Sequence, residues 1–338
     1  MTSKAADTGF GLSIEVEPME ARSADALPAD EGWQYEPKWD GFRCLAFKNG
    51  SRVDLRAKSG KPLGRYFPEV VALLSELDVE RFVIDGELVI DRDGKLSFDA
   101  LQMRLHPAES RIKKLSRETP VLLVMFDMLM AADGNPILDR DLRFRRAALE
   151  VFAKEAVQPG RLILSPYTRD YNEAMRWLSA SGGDTDGVVC KRLDGPYLPG
   201  ERAMTKVKRL RTADCVVGGF RYESDSKLVG SLLLGLYNNQ GDLDHVGFTA
   251  TISDAERPEL TAKLEALRGE PGFTGKAPGG PSRWSTKRSS QWEPLKSEMV
   301  VEVRFDQVTG HRFRHGTKLL RWRPDKRPTQ CKLEQIER

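Results

Sequence analysis

The chain has 338 residues, of which 40% are hydrophobic and 30% charged, a composition typical of a soluble globular protein large enough for two domains. No stretch approaches the roughly 18 apolar residues of a membrane-spanning helix, and the N-terminus lacks a secretion signal, so we expect neither export nor a membrane. The net charge is only +3, and the four cysteines are widely separated, which excludes a zinc ribbon and predicts a reducing cytoplasm.

The first part of the chain is predicted to alternate strands with helices. Asn49-Gly50 is a strong hairpin signal between two strands, and it places Lys38 just before a hairpin. A helical spacing of apolar residues starts at Pro68, and long apolar runs bounded by turn residues indicate buried strands. The predicted strands are 42–48, 53–56, 81–90, 121–129, 188–191 and 206–211, and the other predicted helices are 142–156 and 172–180.

The last part of the chain is predicted to be mostly strands. These strands span 215–222, 228–237, 245–252, 299–305 and 318–323, with a helix at 254–267 and a loop rich in glycine, proline and serine at 271–290. Five strands and one intervening helix are what a small Greek-key barrel of the OB type requires. We therefore expect an α+β protein, with antiparallel sheets and flanking helices in residues 1–211 and an OB-fold β-barrel in residues 212–338.

The most informative string is Glu36-Pro37-Lys38-Trp39-Asp40-Gly41-Phe42-Arg43, which contains K-x-D-G-x-R. Taken alone, it is equally compatible with a surface turn, in which Asp-Gly forms the bend and the basic side chains are solvated. The motifs that follow it decide between a turn and a reactive lysine.

Two further strings combine an acid, a glycine and apolar strand residues, namely Asp85-Gly86-Glu87 and Asp186-Gly187-Val188-Val189-Cys190-Lys191. A carboxylate at such a strand end is more often a surface residue than a ligand. In Lys206-Val207-Lys208, the alternation of a strand would put both amines on one face. Like charges on one face stay at the surface or share an anion, and a triphosphate is such an anion.

Basic residues are concentrated in two stretches. Residues 202–211 contain five basic and no acidic residues, and residues 304–332 contain nine basic and two acidic residues. Such stretches are usually solvated faces, but the interleaved Phe313 and Trp322 favour a surface that binds a phosphate backbone.

In order, the strings K-x-D-G-x-R, D-G-E, F-D, D-G-V-V-C-K, K-x-K and R-P-D-K resemble the motifs of the nucleotidyltransferase superfamily of ATP-dependent DNA ligases and mRNA capping enzymes. The resemblance extends from about Pro18 to Lys326 and implies a nucleotidyltransferase domain before the OB-fold domain. The first motif and the last, Leu320-Arg321-Trp322-Arg323-Pro324-Asp325-Lys326, are most similar to small bacterial DNA ligases and to the ligase module of bacterial end-joining proteins. NAD-dependent ligases share K-x-D-G, but they carry a four-cysteine zinc module, and the four cysteines here are widely separated with no C-x-x-C pair.

The resemblance implies that Lys38 is the nucleophile, which attacks the α-phosphate of ATP and forms a lysyl-AMP phosphoramidate. This attack requires a neutral amine, and the nearby cations Lys206 and Lys208, with a metal ion, would favour that form. Glu87 and Asp186 would be ligands of Mg²⁺ or Mn²⁺.

The resemblance also implies a set of nucleotide-binding residues. Phe126 would stack on adenine, although without the motif it would be read as a core aromatic residue. Glu36 and Arg43 would bind the nucleoside and ribose side, and Lys58 and Arg202 would contact phosphates. From the second domain, Arg323, Asp325 and Lys326 would orient the pyrophosphate leaving group when that domain closes. The nucleotide-binding set is Glu36, Lys38, Arg43, Lys58, Glu87, Phe126, Arg202, Lys206, Lys208, Arg323 and Lys326.

Two residues depart from the family's pattern. Lys58 stands where these ligases commonly have arginine, so a bidentate phosphate contact would become a point-charge contact. Asp186 stands where glutamate is common, which shortens its reach to a metal by one methylene. Because only some three dozen residues precede Lys38, we expect no helical DNA-binding domain of the kind that larger ligases carry.

The predicted function is an ATP-dependent DNA ligase that seals a 3′-hydroxyl to a 5′-phosphate in DNA repair through Lys38-AMP. The expected partners are nicked or broken duplex DNA and end-joining or repair proteins, and we expect a cytoplasmic, nucleoid-associated monomer. Two alternatives stay open. One is an RNA ligase or a GTP-using capping guanylyltransferase, which shares Lys38, Glu87 and Lys206. The other is a non-catalytic nucleic-acid-binding OB protein with a vestigial lysine motif.

Overall fold

The structure is a computed structural model that describes residues 9–156, 161–181, 185–279 and 291–337. The chain divides into two compact units, Met1–Arg209 and Leu210–Arg338. Within the described ranges, every helix falls short of the length and apolarity that crossing a membrane requires.

The first unit is built from two larger sheets, on which helices pack, and a small two-stranded sheet of Asp91–Arg92 and Lys95–Leu96. Its strands are β1 (Ala21–Ser23), β2 (Trp33–Trp39), β3 (Phe42–Asn49), β4 (Arg52–Ala57), β5 (Arg81–Val89), β6 (Asp91–Arg92), β7 (Lys95–Leu96), β8 (Leu122–Met130), β9 (Leu162–Leu164), β10 (Thr185–Arg192) and β11 (Met204–Val207). Its helices are α1 (Pro68–Ser75), α2 (Phe98–Met103), α3 (Glu109–Glu118), α4 (Leu142–Ala156) and α5 (Tyr171–Ala180).

The larger sheet has the strand order β4-β3-β5-β8-β9, and its pairs are antiparallel except β8 with β9. The central strands β5 and β8 are apolar and buried along nearly their whole length, because both faces of this sheet are covered. Residues of α1, α2 and α4 cover one face. The other face contributes Leu45, Phe47 and Val83 to a second cluster that also contains Met204 of β11.

The smaller sheet has the order β1-β11-β10-β2, with β1 and β11 parallel and the other pairs antiparallel. Helix α5 packs against it through the buried Ala174. Lys38 lies near the end of β2 in this sheet, whereas Phe42 begins β3 in the larger one. The intervening Gly41 passes so close to β5 that an added Cβ would overlap the carbonyl oxygen of Leu88, so this turn requires glycine.

The second unit is a small barrel. Its strands are β12 (Arg211–Tyr222), β13 (Val229–Tyr237), β14 (Leu243–Thr249), β15 (Glu293–Pro294), β16 (Val300–Phe305), β17 (Val308–Thr309), β18 (Arg312–Phe313) and β19 (Lys318–Trp322), and its helix is α6 (Arg257–Ala266). The main sheet has the order β14-β13-β12-β16-β19. A parallel bridge between Thr249 and Thr317 joins the two edges, which closes the sheet in the manner of an OB-fold.

Most predicted elements are confirmed within one to three residues at each end, and the predicted hairpin at Asn49-Gly50 forms between β3 and β4. The prediction of a strand over 206–211 was wrong. Strand β11 ends at Val207, so Lys208 follows the strand, and Arg211 already begins β12. The predicted loop at 271–290 contains no helix or strand as far as residue 279, and residues 280–290 lie outside the described ranges.

Of the two aromatic residues interleaved in the basic stretch 304–332, Phe313 is buried and Trp322 is partly exposed. Phe313 is 7% exposed and belongs to the barrel core, and Trp322 packs against that core. The exposed large apolar side chains among the described residues of this unit are Leu210, Phe248 and Leu320, which are 43%, 40% and 42% exposed. The interpretation of Phe313 as part of a nucleic-acid surface is therefore wrong.

Candidate active site

A cavity of about 220 Å³ opens in the first unit, and strands of both sheets line it. Its lining contains the predicted residues Glu36, Lys38, Arg43, Lys58, Glu87, Phe126 and Lys206. Asp186 and Lys208 lie one contact beyond this lining, and Arg202 reaches the neighbouring Glu20 at the cavity wall. Arg323 and Lys326 belong to the second unit.

Lys38 forms an ion pair at the edge of the cavity. Its Nζ lies 2.8 Å from Oδ2 of Asp186, and the Nζ of Lys208 lies 2.8 Å from the same oxygen. Asp186 is held here by Gly187, whose φ of +121° and close approach to the carbonyl of Val207 require glycine. One buried carboxylate oxygen thus pairs with two lysines.

Glu36 is almost fully buried at the base of the cavity, with both carboxylate oxygens occupied. Oε1 accepts a hydrogen bond from Gln34 at 2.8 Å, and Oε2 lies 2.9 Å from Nζ of Lys191. Lys191 also donates to the carbonyl oxygen of Phe126 and lies 3.8 Å from Asp127. Carboxylate oxygens can only accept hydrogen bonds, so Glu36 is an acceptor at the base of the cavity.

Arg43 reaches the cavity from β3 but is anchored from behind. Its Nε and Nη2 donate to the two oxygens of Asp85 at 2.5 and 2.6 Å, and Tyr197 donates to the same carboxylate at 2.6 Å. The guanidinium lies 4.7 Å from the ring centre of Phe126. Asp85 is fully buried, so the first acid of Asp85-Gly86-Glu87 fixes Arg43 and only the second faces the cavity.

Glu87 is the carboxylate of β5 that lines the cavity. Burial raises the pKa of Glu87 to about 7, although the positive charges of Arg43 and Lys38 oppose this rise. Its Oε1 accepts a hydrogen bond from the backbone N–H of Gly41 at 3.1 Å. A partly buried carboxylate with such a raised pKa is incompletely compensated, and a divalent cation would provide the missing positive charge.

Glu20 was missed by the sequence reasoning. Its Oε1 lies 2.9 Å from Nζ of Lys58, and its Oε2 lies 3.8 Å from Nε of Arg202. The hydrogen bond from Lys58 lowers the pKa of Glu20. Glu20 precedes β1 and belongs to none of the motifs. Only the fold reveals that it pairs with both Lys58 and Arg202, the two predicted phosphate contacts.

Lys206 lies among cations. The pKa of Lys206 is lowered mainly by burial and then by the charges of Lys38, Lys208 and Lys58. The expectation that Lys206 and Lys208 point from one strand face does not hold, because β11 ends between them. The two lysines nevertheless lie close enough for the charge of Lys208 to lower the pKa of Lys206. Lys208 pairs with Asp186, and Lys206 lines the cavity.

In the second unit, the last predicted motif is folded against β12. The Nη1 of Arg323 lies 2.8 Å from Oδ1 of Asp214, and the Nζ of Lys326 lies 2.5 Å from Oδ2. Arg323 also pairs with Asp325 at 2.8 Å. Asp214 is a further residue that no motif indicated.

The described residues contain no cluster of three or more histidine, cysteine, aspartate or glutamate side chains that could enclose a metal ion. Glu87 and Asp186 nevertheless fit Mg²⁺, which binds a few carboxylates and takes its other ligands from water and phosphate. The raised pKa of Glu87 indicates that its negative charge is incompletely compensated. Asp186, by contrast, would have to give up an ion pair with one of its two lysines in order to bind the metal.

The chain is similar to known proteins over nearly its whole length. The family described as "ATP dependent DNA ligase domain" matches residues 18–208, and "ATP dependent DNA ligase C terminal region" matches residues 225–326. DNA ligase C1 of Mycolicibacterium smegmatis is 43% identical over 334 residues, covering 95% of this chain and 94% of that protein. DNA ligase C of Mycobacterium tuberculosis is 42% identical over 339 residues, covering 96% and 94%.

Two further matches are more distant. The multifunctional non-homologous end joining protein LigD of Mycobacterium bovis is 30% identical over 309 residues, covering 89% of this chain and 37% of that protein. A solved structure of a Lig E DNA ligase has a TM-score of 0.57 at 18% identity, covering 91% of this chain and 99% of that one, and this likeness concerns the fold alone.

Proposed function

The chain belongs to the ATP-dependent DNA ligases, and from that premise we propose that Lys38 becomes adenylated in the cavity of the first unit. The observation that carries this proposal is the position of Lys38 beside a cavity that combines the buried acceptor Glu36 with the cations Lys58 and Lys206. Glu36 would accept a hydrogen bond from the base of ATP, and Lys58 and Lys206 would bind its phosphates. The amine of Lys38 would then lie on the phosphate side of the cavity.

Each step of adenylation has a candidate residue in this cavity. Lys38 leaves Asp186, loses a proton and attacks the α-phosphorus, while the bond to the departing pyrophosphate breaks. Lys58 and Lys206 bind the negative phosphate oxygens, and Phe126 provides an apolar face for the base. A Mg²⁺ or Mn²⁺ ion held by Glu87 and Asp186 would stabilise negative charge on the phosphates.

We propose that residues 1–211 form the adenylation domain and residues 212–338 the OB-fold domain. Arg323 and Lys326 would reach the pyrophosphate of the bound nucleotide during adenylation and leave it afterward. The substrate would be nicked or broken duplex DNA, and the similarity to LigD favours a role with end-joining or repair proteins. We expect a monomer in the cytoplasm, associated with the nucleoid.

The experiment that tests this function is incubation of the protein with a divalent metal and either ATP or GTP, followed by intact-mass measurement. We expect a covalent AMP with ATP, mapped to the peptide of Lys38, and no adduct with GTP. The adenylated protein should then seal a nicked DNA duplex. Adduct formation with GTP would favour a guanylyltransferase, and binding to nicked DNA without any adduct would favour a non-catalytic protein.

Base selection should depend on Glu36. An ionised carboxylate accepts a hydrogen bond from the exocyclic amine of adenine and repels the carbonyl oxygen of hypoxanthine or guanine. We expect Glu36→Gln to reduce the preference for ATP over inosine triphosphate by roughly 10- to 100-fold, as for loss of a charged hydrogen bond. The measurement is the adenylation or inosylation rate of both proteins at subsaturating nucleotide. An unchanged preference would remove Glu36 from base recognition.

Asp186→Ala should impair the steps after adenylation more than adenylation itself. In the family the matching carboxylate holds metal in the later steps, and the loss also frees Lys38 from its ion pair. We expect sealing by pre-adenylated protein to fall roughly 100-fold and adenylation by no more than about tenfold. Single-turnover sealing by pre-adenylated protein measures the loss in the later steps. The control is Asp194→Asn, which changes an exposed carboxylate that pairs with Arg192. An unchanged sealing rate would exclude Asp186 from the site.

A further inference from the structure

Asp214 is placed so that one carboxylate holds both cations of the last motif. Oδ1 pairs with Arg323 and Oδ2 with Lys326, at 2.8 and 2.5 Å. The side chain of Asp214 is 12% exposed, whereas those of Arg323 and Lys326 are 18% and 25% exposed. Each oxygen therefore has its own cation, in a partly buried setting where charge-assisted hydrogen bonds are strong.

The backbone of Asp214 is fixed from two sides. It pairs with Glu302 of β16 in the barrel sheet. On its other side, the backbone N–H of Asp214 donates to Oε1 of Gln335 at 3.0 Å, and Nε2 of Gln335 donates to the carbonyl of Asp214 at 3.1 Å. The carboxylate is thus a stationary anion on a short side chain, and the long side chains of Arg323 and Lys326 are the groups able to move.

The two cations depend on Asp214 to different degrees. Arg323 also has Asp325 at 2.8 Å and Glu302 at 3.8 Å. For Lys326, Asp214 is the ion-pair partner that the described residues provide. Any role of these cations on a triphosphate therefore requires that they release or share Asp214.

We propose that Asp214 is a positioning residue that competes with the triphosphate for Arg323 and Lys326. It receives the two cations whenever the pyrophosphate group is absent, and so it weakens the hold on ATP and on the pyrophosphate product. This inference rests on the proposed function of Arg323 and Lys326. Because Asp214 takes back both cations once Lys38 has been adenylated, the protein releases pyrophosphate readily.

The test is Asp214→Asn, which keeps the shape of the side chain and removes its charge. We expect the ATP concentration for half-maximal adenylation, and the pyrophosphate concentration for half-maximal reversal of Lys38-AMP, to fall roughly three- to tenfold. The maximal adenylation rate should change less than about twofold. Asp214→Glu should move both concentrations back toward the wild-type values, and Glu259→Gln, a carboxylate paired with Lys263 on α6, controls for net charge.

Three outcomes would overturn the proposal. One is an unchanged or higher half-maximal concentration in Asp214→Asn. Another is an equal loss of adenylation and of sealing on chemically pre-adenylated nicked DNA, which would mean general destabilisation. The third is persistence of the Asp214→Asn effect in a protein that also carries Arg323→Ala and Lys326→Ala. If that double variant alone adenylates normally, the proposed function of the two cations fails instead.

Discussion

Replacing Lys38 with alanine should abolish covalent attachment of AMP while leaving binding to nicked DNA largely intact. Lys38 supplies the only atom that would bond to the α-phosphorus in the proposed reaction, but it is one of many positive charges on the protein. We expect adenylation to fall by at least roughly 10⁴-fold, as when an enzyme loses its nucleophile. Intact mass after incubation with ATP measures the adduct, and a gel shift with nicked duplex measures binding.

Two controls make this result specific. Lys38→Arg keeps a positive charge near Asp186 but offers no comparable nucleophile, so it should be as inactive as alanine. Lys114→Ala removes an exposed lysine of α3 and should adenylate normally. Both Lys38 variants should still seal nicked DNA that already carries AMP on its 5′-phosphate, within about tenfold of wild type. Normal adenylation of Lys38→Ala would refute the assignment of this residue.

The parts of the fold that sequence reasoning predicted have local causes. The Asn49-Gly50 turn sets the β3–β4 hairpin, and the continuous apolar run of β8 reflects burial on both faces of its sheet. Helix α4 matched its predicted bounds, 142–156. By contrast, α3 was not predicted, because Ile112 is the one apolar position that the helix buries and no periodic stripe marks it.

The strand predicted over 206–211 failed for a different reason. Alternation of basic and apolar residues runs from Lys206 to Lys208 and breaks at Arg209, where the chain passes from the first unit to the second. Side-chain alternation does not report where backbone pairing stops. Pairing of β11 with β10 ends where Val207 faces Val188, so it stops one residue before the alternation does.

In the site too, motifs in the sequence indicated some residues, and only the fold revealed the others. The resemblance pointed to the residues that line the cavity, but not to the residues that hold them in place. Lys191 binds Glu36, Glu20 binds Lys58, and Asp214 binds Lys326 across 112 positions of sequence. Glu20 and Asp214 belong to no motif, and Lys191 ends the D-G-V-V-C-K motif without a predicted partner, because these contacts depend on which side chains the fold brings together.

Replacing Arg323 and Lys326 together with alanine should separate two reactions that the wild-type protein carries out in sequence. Both cations are proposed to orient the pyrophosphate leaving group, and loss of such donors reduces a rate by roughly 10²- to 10³-fold. We expect formation of Lys38-AMP to fall by at least that factor at saturating ATP. The same variant, given chemically pre-adenylated nicked DNA, should seal it within about tenfold of the wild-type rate.

A matched double variant distinguishes leaving-group orientation from a general loss of positive charge. Arg304 and Lys318 face each other on β16 and β19, and Arg304→Ala with Lys318→Ala removes the same charge from the same unit. This control should weaken binding to DNA, most visibly at low salt, yet adenylate within about twofold of wild type, because its cations would act on the DNA backbone. The Arg323 and Lys326 variant should show the opposite order of losses. Equal loss of adenylation and sealing would mean that the motif serves folding or DNA affinity, and closure onto the nucleotide would have to be withdrawn.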